Sequence, residues 1–105
     1  MSHLTIETRS DEGVEHLVLI GEFDLASVPA FEDRIATAEA GSPAAIVVDL
    51  SGLEFMDSSG LHVVLNARAL CERSGYGFQT VGGTPAVRRL FEVCGLASLI
   101  APQRP

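Results

Sequence analysis

The period of the apolar positions changes several times along the chain, and each change marks a boundary between elements. Leu4-Thr5-Ile6-Glu7-Thr8 alternates apolar and polar, as a half-buried or edge strand does. Asp11-Glu12-Gly13 carries turn chemistry. His16-Leu17-Val18-Leu19-Ile20-Gly21 is a short β-rich run, so the first two strands are expected to pair as a hairpin. Beyond Asp24, Ser27 is a candidate helix cap, and Pro29 fits only a first turn, where its missing N–H loses no bond. Phe31, Ile35 and Ala38 then recur at helical spacing until Gly41 and Ser42-Pro43 stop the helix. Ala44 to Leu50 is a continuous apolar run ending beside an acid, which predicts a central strand covered on both faces. Ser51-Gly52-Leu53-Glu54-Phe55-Met56 predicts a loop.

From Ser58 to Ser74 the pattern is helical again. Leu61, Val63, Val64, Leu65, Ala67, Leu70 and Cys71 make a wide apolar side, with His62, Asn66 and Arg73 opposite. Gly75 and Gly77 end this helix, and Phe78-Gln79-Thr80-Val81 predicts another strand. Gly82-Gly83-Thr84-Pro85 supplies a turn, a Thr cap and a Pro at the first helical position. Val87, Leu90, Phe91 and Val93/Cys94 carry a last helix to Gly95. Leu99-Ile100 predicts a short terminal strand, and Ala101 to Pro105 a frayed end. The order β-β-α-β-α-β-α calls for an α/β fold, a mixed sheet with helices packed against it. Its 105 residues suit one domain, 1–105, with no repeat or linker.

Charge narrows the choice of partner. The formal net charge is −7, and the nearest approach to a basic cluster is the pair Arg88-Arg89. Long-range attraction to nucleic acid or to anionic lipid is therefore not expected, and with no Trp and one Tyr there is little to stack on bases. A protein partner with a basic face suits such a surface. Cys71 and Cys94 form no C-x-x-C, and His3, His16 and His62 are scattered, so no metal or cofactor is expected; both thiols are read as buried small apolar groups. With no basic-then-apolar leader and no apolar run near the ~20 residues of a bilayer span, the expectation is a reduced, cytoplasmic chain.

The informative chemistry lies at Asp57-Ser58-Ser59-Gly60. Asp57 is a good N-cap, and the next three residues fall in a first turn whose N–H groups lack intrahelical partners and whose end carries roughly +0.5 of a charge. Gly60 costs about 1 kcal/mol of helix propensity relative to Ala, so helix-averse residues are stacked at one helix start. Two readings stand: plain capping, or Ser58 as the acceptor of a covalent phosphate that adds about −1.5 to −2 of charge. Enzyme readings fare worse. Met56-Asp57-Ser58-Ser59-Gly60 lacks the first Gly of a G-x-S-x-G nucleophile elbow, and no acid is placed to orient His62. Gly82-Gly83-Thr84-Pro85 has no P-loop Lys. Asp49 at a strand end suggests a phospho-receiver, but Leu4 to Ser10 offers only Glu7 where that fold needs an acidic pair. Asp24, after Gly21-Glu22-Phe23, reads equally as a turn residue or as part of the site.

Gly21-Glu22-Phe23-Asp24, Val47-Val48-Asp49-Leu50-Ser51, Phe55-Met56-Asp57-Ser58-Ser59-Gly60-Leu61 and the run from Pro85 to Leu96 together resemble a stand-alone STAS domain, and within it the bacterial anti-sigma factor antagonists. The resemblance spans nearly the whole chain, and D-S-S-G-L is its most specific part. It implies a mixed four- to five-stranded sheet with helices largely on one side. It also implies a regulator that is not an enzyme. Such a protein binds an anti-sigma factor serine kinase, is phosphorylated at Ser58, lets go, and is reset by a phosphatase. Asp24, Asp57, Ser59, Gly60, Leu61 and His62 would form the docking surface of a monomer. The alternative is a non-phosphorylated STAS subunit of another assembly, in lipid transport or a signalling scaffold.

Overall fold

A computed structural model describes residues 3–100, and the segment Ala101–Pro105 lies outside them. Strands β1 (Leu4–Asp11) and β2 (Val14–Phe23) form an antiparallel hairpin. Its two-residue turn has φ of 50° at Glu12 and 82° at Gly13, the doubly positive pair that matches the twist of a hairpin. Helix α1 (Val28–Ala40) follows, then β3 (Ala45–Met56), α2 (Ser58–Ser74), β4 (Gly77–Val81) and α3 (Pro85–Val93). The sheet order is β1-β2-β3-β4, with β2, β3 and β4 parallel.

That order places the helices. Two successive crossovers that step in the same direction, each right-handed, put α1 and α2 on the same side of the sheet. Side-chain burial agrees: Leu17, Leu19, Ile46, Val48 and Leu50 are buried on one face and share one apolar cluster with Phe31 and Ile35 of α1, Val63, Val64 and Ala67 of α2, and Val87 and Phe91 of α3. On the other face Val18, Val47 and Asp49 are only half-buried and Gln79 is exposed. β3 is therefore central in the sheet but covered on one face only, and the expectation of two covered faces is corrected.

β3 also runs farther than its pattern indicates. Ser51–Met56, expected as a loop, continues the strand and pairs with β2 through Gly52↔Ile20, Leu53↔Gly21, Phe55↔Glu22 and Met56↔Phe23. Two register shifts interrupt this pairing, so the buried positions step from Leu50 to Leu53 to Met56 and the period of two is lost. The Asp49 carboxylate braces the first shift, accepting from Ser51 N at 2.9 Å and Ser51 Oγ at 2.6 Å.

Three smaller expectations change. Ser27 does not cap α1; its backbone is already helical, a 3-10 turn (Leu25–Ser27) precedes it, and its buried hydroxyl donates to Glu22 O and Asp24 Oδ1. Leu99-Ile100 forms no strand, only a 3-10 turn (Ala97–Leu99) and a single parallel bridge from Ile100 to Thr80. Cys71 is buried, but Cys94 and Val93 are exposed, because α3 turns only Val87 and Phe91 fully inward. Burial, and secondarily the Glu39 carboxylate, push the Cys71 thiol up, which keeps it protonated and unreactive. Among the described residues no helix is long and apolar enough to cross a membrane.

Candidate functional site

The carboxyl ends of β2 and β3 build the site. Because Phe23 pairs with Met56, the residues that follow them, Asp24 and Asp57, leave the sheet side by side. A hydrogen bond from Asp57 N to Phe23 O, 3.2 Å, ties the two exits together. Asp57 then caps α2: its Oδ1 accepts from Ser59 N at 2.9 Å and Gly60 N at 3.2 Å, while its carbonyl accepts from Leu61 N. Loss of that side chain leaves two first-turn donors without their partner. Asp57→Ala is expected to destabilise the chain by about 1 kcal/mol, read by urea unfolding.

This cap revises the electrostatics of the helix start. The N–H groups that would cradle an anion are taken by Asp57, whose charge already offsets the positive helix end. A phosphate on Ser58 would stand in solvent beside a carboxylate and add to the local negative charge. Ser58 is exposed at the first position of α2, with Ser59 half-buried and His62 exposed one turn on. Asp24 is half-buried, its Oδ1 accepting from Ser27 Oγ at 3.1 Å, which ties the carboxylate to the 3-10 turn before α1.

Gly60 and Leu61 do not belong to the exposed surface, and their expected place in a docking face is corrected. Leu61 is buried in the core. Gly60 lies against the buried Phe23; a Cβ there would stand 3.0 Å from Phe23 Cγ and 3.0 Å from Phe23 O. The glycine is required for α2 to approach the end of β2, so its role is to seat the helix. Phe23 in turn packs on Phe31 of α1, with ring centroids 5.2 Å apart.

Leu25, Val28 and Glu32 are functional candidates that the sequence did not single out. With Ser58, Ser59 and His62 they line a groove of about 410 Å³ between the starts of α1 and α2. Leu25 is 71% exposed, an apolar side chain held in water at the rim. Its burial state is a tertiary property that residue type did not signal.

The arrangement presents a primary hydroxyl without the apparatus of a nucleophile. Among the described residues, His62 shares no hydrogen bond with Ser58 or with an acid, so no Ser-His-acid relay is assembled. The same residues contain no group of three His, Cys, Asp or Glu side chains suited to a metal. What remains is an exposed hydroxyl on a capped helix end, beside the Asp57 carboxylate and an apolar rim.

Residues 6–101 match the family model described as "Mlab, STAS domain". The chain is 34% identical over 95 residues to the anti-sigma-F factor antagonist RsfB of Mycobacterium tuberculosis, covering 89% of this chain and 75% of that protein. It superimposes on the crystal structure of an anti-sigma factor antagonist from Mycobacterium paratuberculosis with a TM-score of 0.82 at 33% identity, covering 95% of this chain and 86% of the other. The unphosphorylated form of the anti-sigma factor antagonist SpoIIAA gives 0.79 at 25% identity, covering 96% and 88%. The phosphorylated form of this Bacillus protein gives 0.73, covering 96% and 91%.

Proposed function

The chain belongs to the STAS domain family, and from that membership we propose that it is an anti-sigma factor antagonist, a partner-switching regulator of transcription. It binds an anti-sigma factor kinase while the Ser58 hydroxyl is free and is released when that hydroxyl is phosphorylated. A phosphatase restores the first state. The chain is a substrate in this cycle and not an enzyme, and it works as a cytoplasmic monomer. Ser58 is the acceptor; Asp24, Asp57, Ser59 and His62 surround it at the contact, and Leu25 supplies an apolar anchor.

One observation carries the reading: the Ser58 hydroxyl stands exposed on the capped first turn of α2, beside the groove, in a chain with this kinship. The mechanism is local. A kinase that modifies Ser58 must bring a nucleotide's phosphates to the hydroxyl. Once a dianion sits there, beside the Asp57 carboxylate, it faces those phosphates and is desolvated against them. No refolding of the domain is needed.

The test is mass spectrometry after incubation with ATP and an anti-sigma factor kinase encoded beside this chain. One added phosphate is expected on Ser58, and none on the Ser58→Ala variant. Modification of another residue would sink the assignment. Tight binding that leaves Ser58 unmodified would favour a STAS subunit of some other assembly.

A further inference from the structure

The groove at Ser58 does not end there. Past Glu32, Val63 and Asn66 it continues between α1 and α2 into a second section of about 170 Å³, floored by Phe31, Ile35, Ala67 and Leu70. Among the described residues its charges are of one sign: Glu32 and Glu39 line it from α1, and no Arg does; on α2, Arg68 is held by Glu72 at 3.2 Å. At 1.5 Å per residue the two acids stand about 10 Å apart along one side of α1.

We propose that this distal section receives an amphipathic helix of the protein partner, whose apolar side chains enter the floor and whose Lys or Arg residues, two turns apart, pair with Glu32 and Glu39. The proposal deepens the function given above and rests on it only for the partner's identity. The volume falls below the roughly 300–1,000 Å³ of drug-sized ligand pockets, which suits inserted side chains better than a free small molecule. A helix laid in a groove reads as anchors at i, i+3/i+4 and i+7, the same two-turn repeat that separates the acids. The dock continues directly from the Ser58 end, so one partner can cover both.

The two ends respond differently to phosphorylation. Leu70 lies about 18 Å along α2 from Ser58. That is about twice the Debye length of about 8 Å at physiological salt, so a phosphate on Ser58 is screened at the Leu70 end of the dock, whereas Glu32 lines both sections and lies near it. Phosphorylation weakens the contact at the Ser58 end by more than the distal contact holds, so the partner is released.

A synthetic 14-residue peptide with Leu at i, i+3/i+4 and i+7 and Lys on its flanks tests this, titrated into the ¹⁵N-labelled chain. Amide shifts are expected to cluster at Ile35, Ala36, Val63, Ala67 and Leu70. Affinity should fall at least about tenfold in the double variant Glu32→Lys/Glu39→Lys. The double variant Glu7→Lys/Glu54→Lys makes the same change in net charge on other exposed surface and should bind as the wild type does. Shifts scattered over the acidic surface, equal binding of a peptide with Glu in place of Lys, or an equal loss in the Glu7/Glu54 variant would overturn the dock. Any of these would leave phosphate incorporation at Ser58 intact, whereas failure of that incorporation would not disturb peptide binding.

Discussion

Ser58→Asp is expected to weaken binding of the anti-sigma factor kinase by at least about tenfold, which requires only about 1.4 kcal/mol. Ser58 is exposed and makes no core contact, so an Asp side chain there adds charge without repacking anything. Two unit charges 4 Å apart at an effective dielectric of 20 interact by about 4 kcal/mol, so even an imperfect juxtaposition with the nucleotide's phosphates exceeds the threshold. Fold stability should change by no more than about 0.5 kcal/mol, as for other surface substitutions. Ser58→Asn is the neutral control and should bind nearly as tightly as the wild type. Isothermal titration at low and high salt reads the mechanism directly: the deficit of Ser58→Asp should shrink as salt rises, because the repulsion is screened. Wild-type affinity in Ser58→Asp, or an equal deficit in Ser58→Asn, would remove charge as the cause.

The largest stability effect is expected at Phe23. The side chain is fully buried, its ring packs on Phe31, and its backbone carbonyl holds Asp57 N at the entrance to α2. Phe23→Ala removes an aromatic from a closed site and is expected to cost about 3–5 kcal/mol in urea unfolding. At roughly 4 °C or more per kcal/mol for a domain of this size, the melting temperature should fall by at least about 12 °C. The exposed neighbour Leu25→Ala should change stability by no more than about 0.5 kcal/mol, which separates burial from position in the chain. A cost below about 1 kcal/mol for Phe23→Ala would mean that the ring does not support the start of α2.

Much of this molecule was legible in its residues because local signals and tertiary demands agree. Pro29, Thr84-Pro85, Gly41 and Gly75 mark helix ends where caps and φ preferences act within a few residues, and the structure ends its helices there. The apolar side of α2 is read correctly at Leu61, Val63, Val64, Ala67 and Cys71 because a helix keeps its period along its whole length. Asp57 as the cap of α2, and Ser58 exposed just behind it, follow from the same local chemistry.

The second half of β3 was not legible, since its two register shifts turn a period of two into steps of three at Leu50, Leu53 and Met56, and a bulge is fixed by the partner strand. Nor could residue type tell that Gly60 points inward while Leu25 stays in water, that Cys94 is exposed while Cys71 is buried, or that only one face of the sheet is covered. The sequence by itself determined the element order, the helix ends and the capped start of α2 that carries Ser58, because those depend on interactions within one turn or one strand. The pairing of Phe23 with Met56, the meeting of Asp24 with Asp57 and the groove between α1 and α2 were decided only in three dimensions, because each joins residues distant in the chain whose approach is set by packing around a shared core.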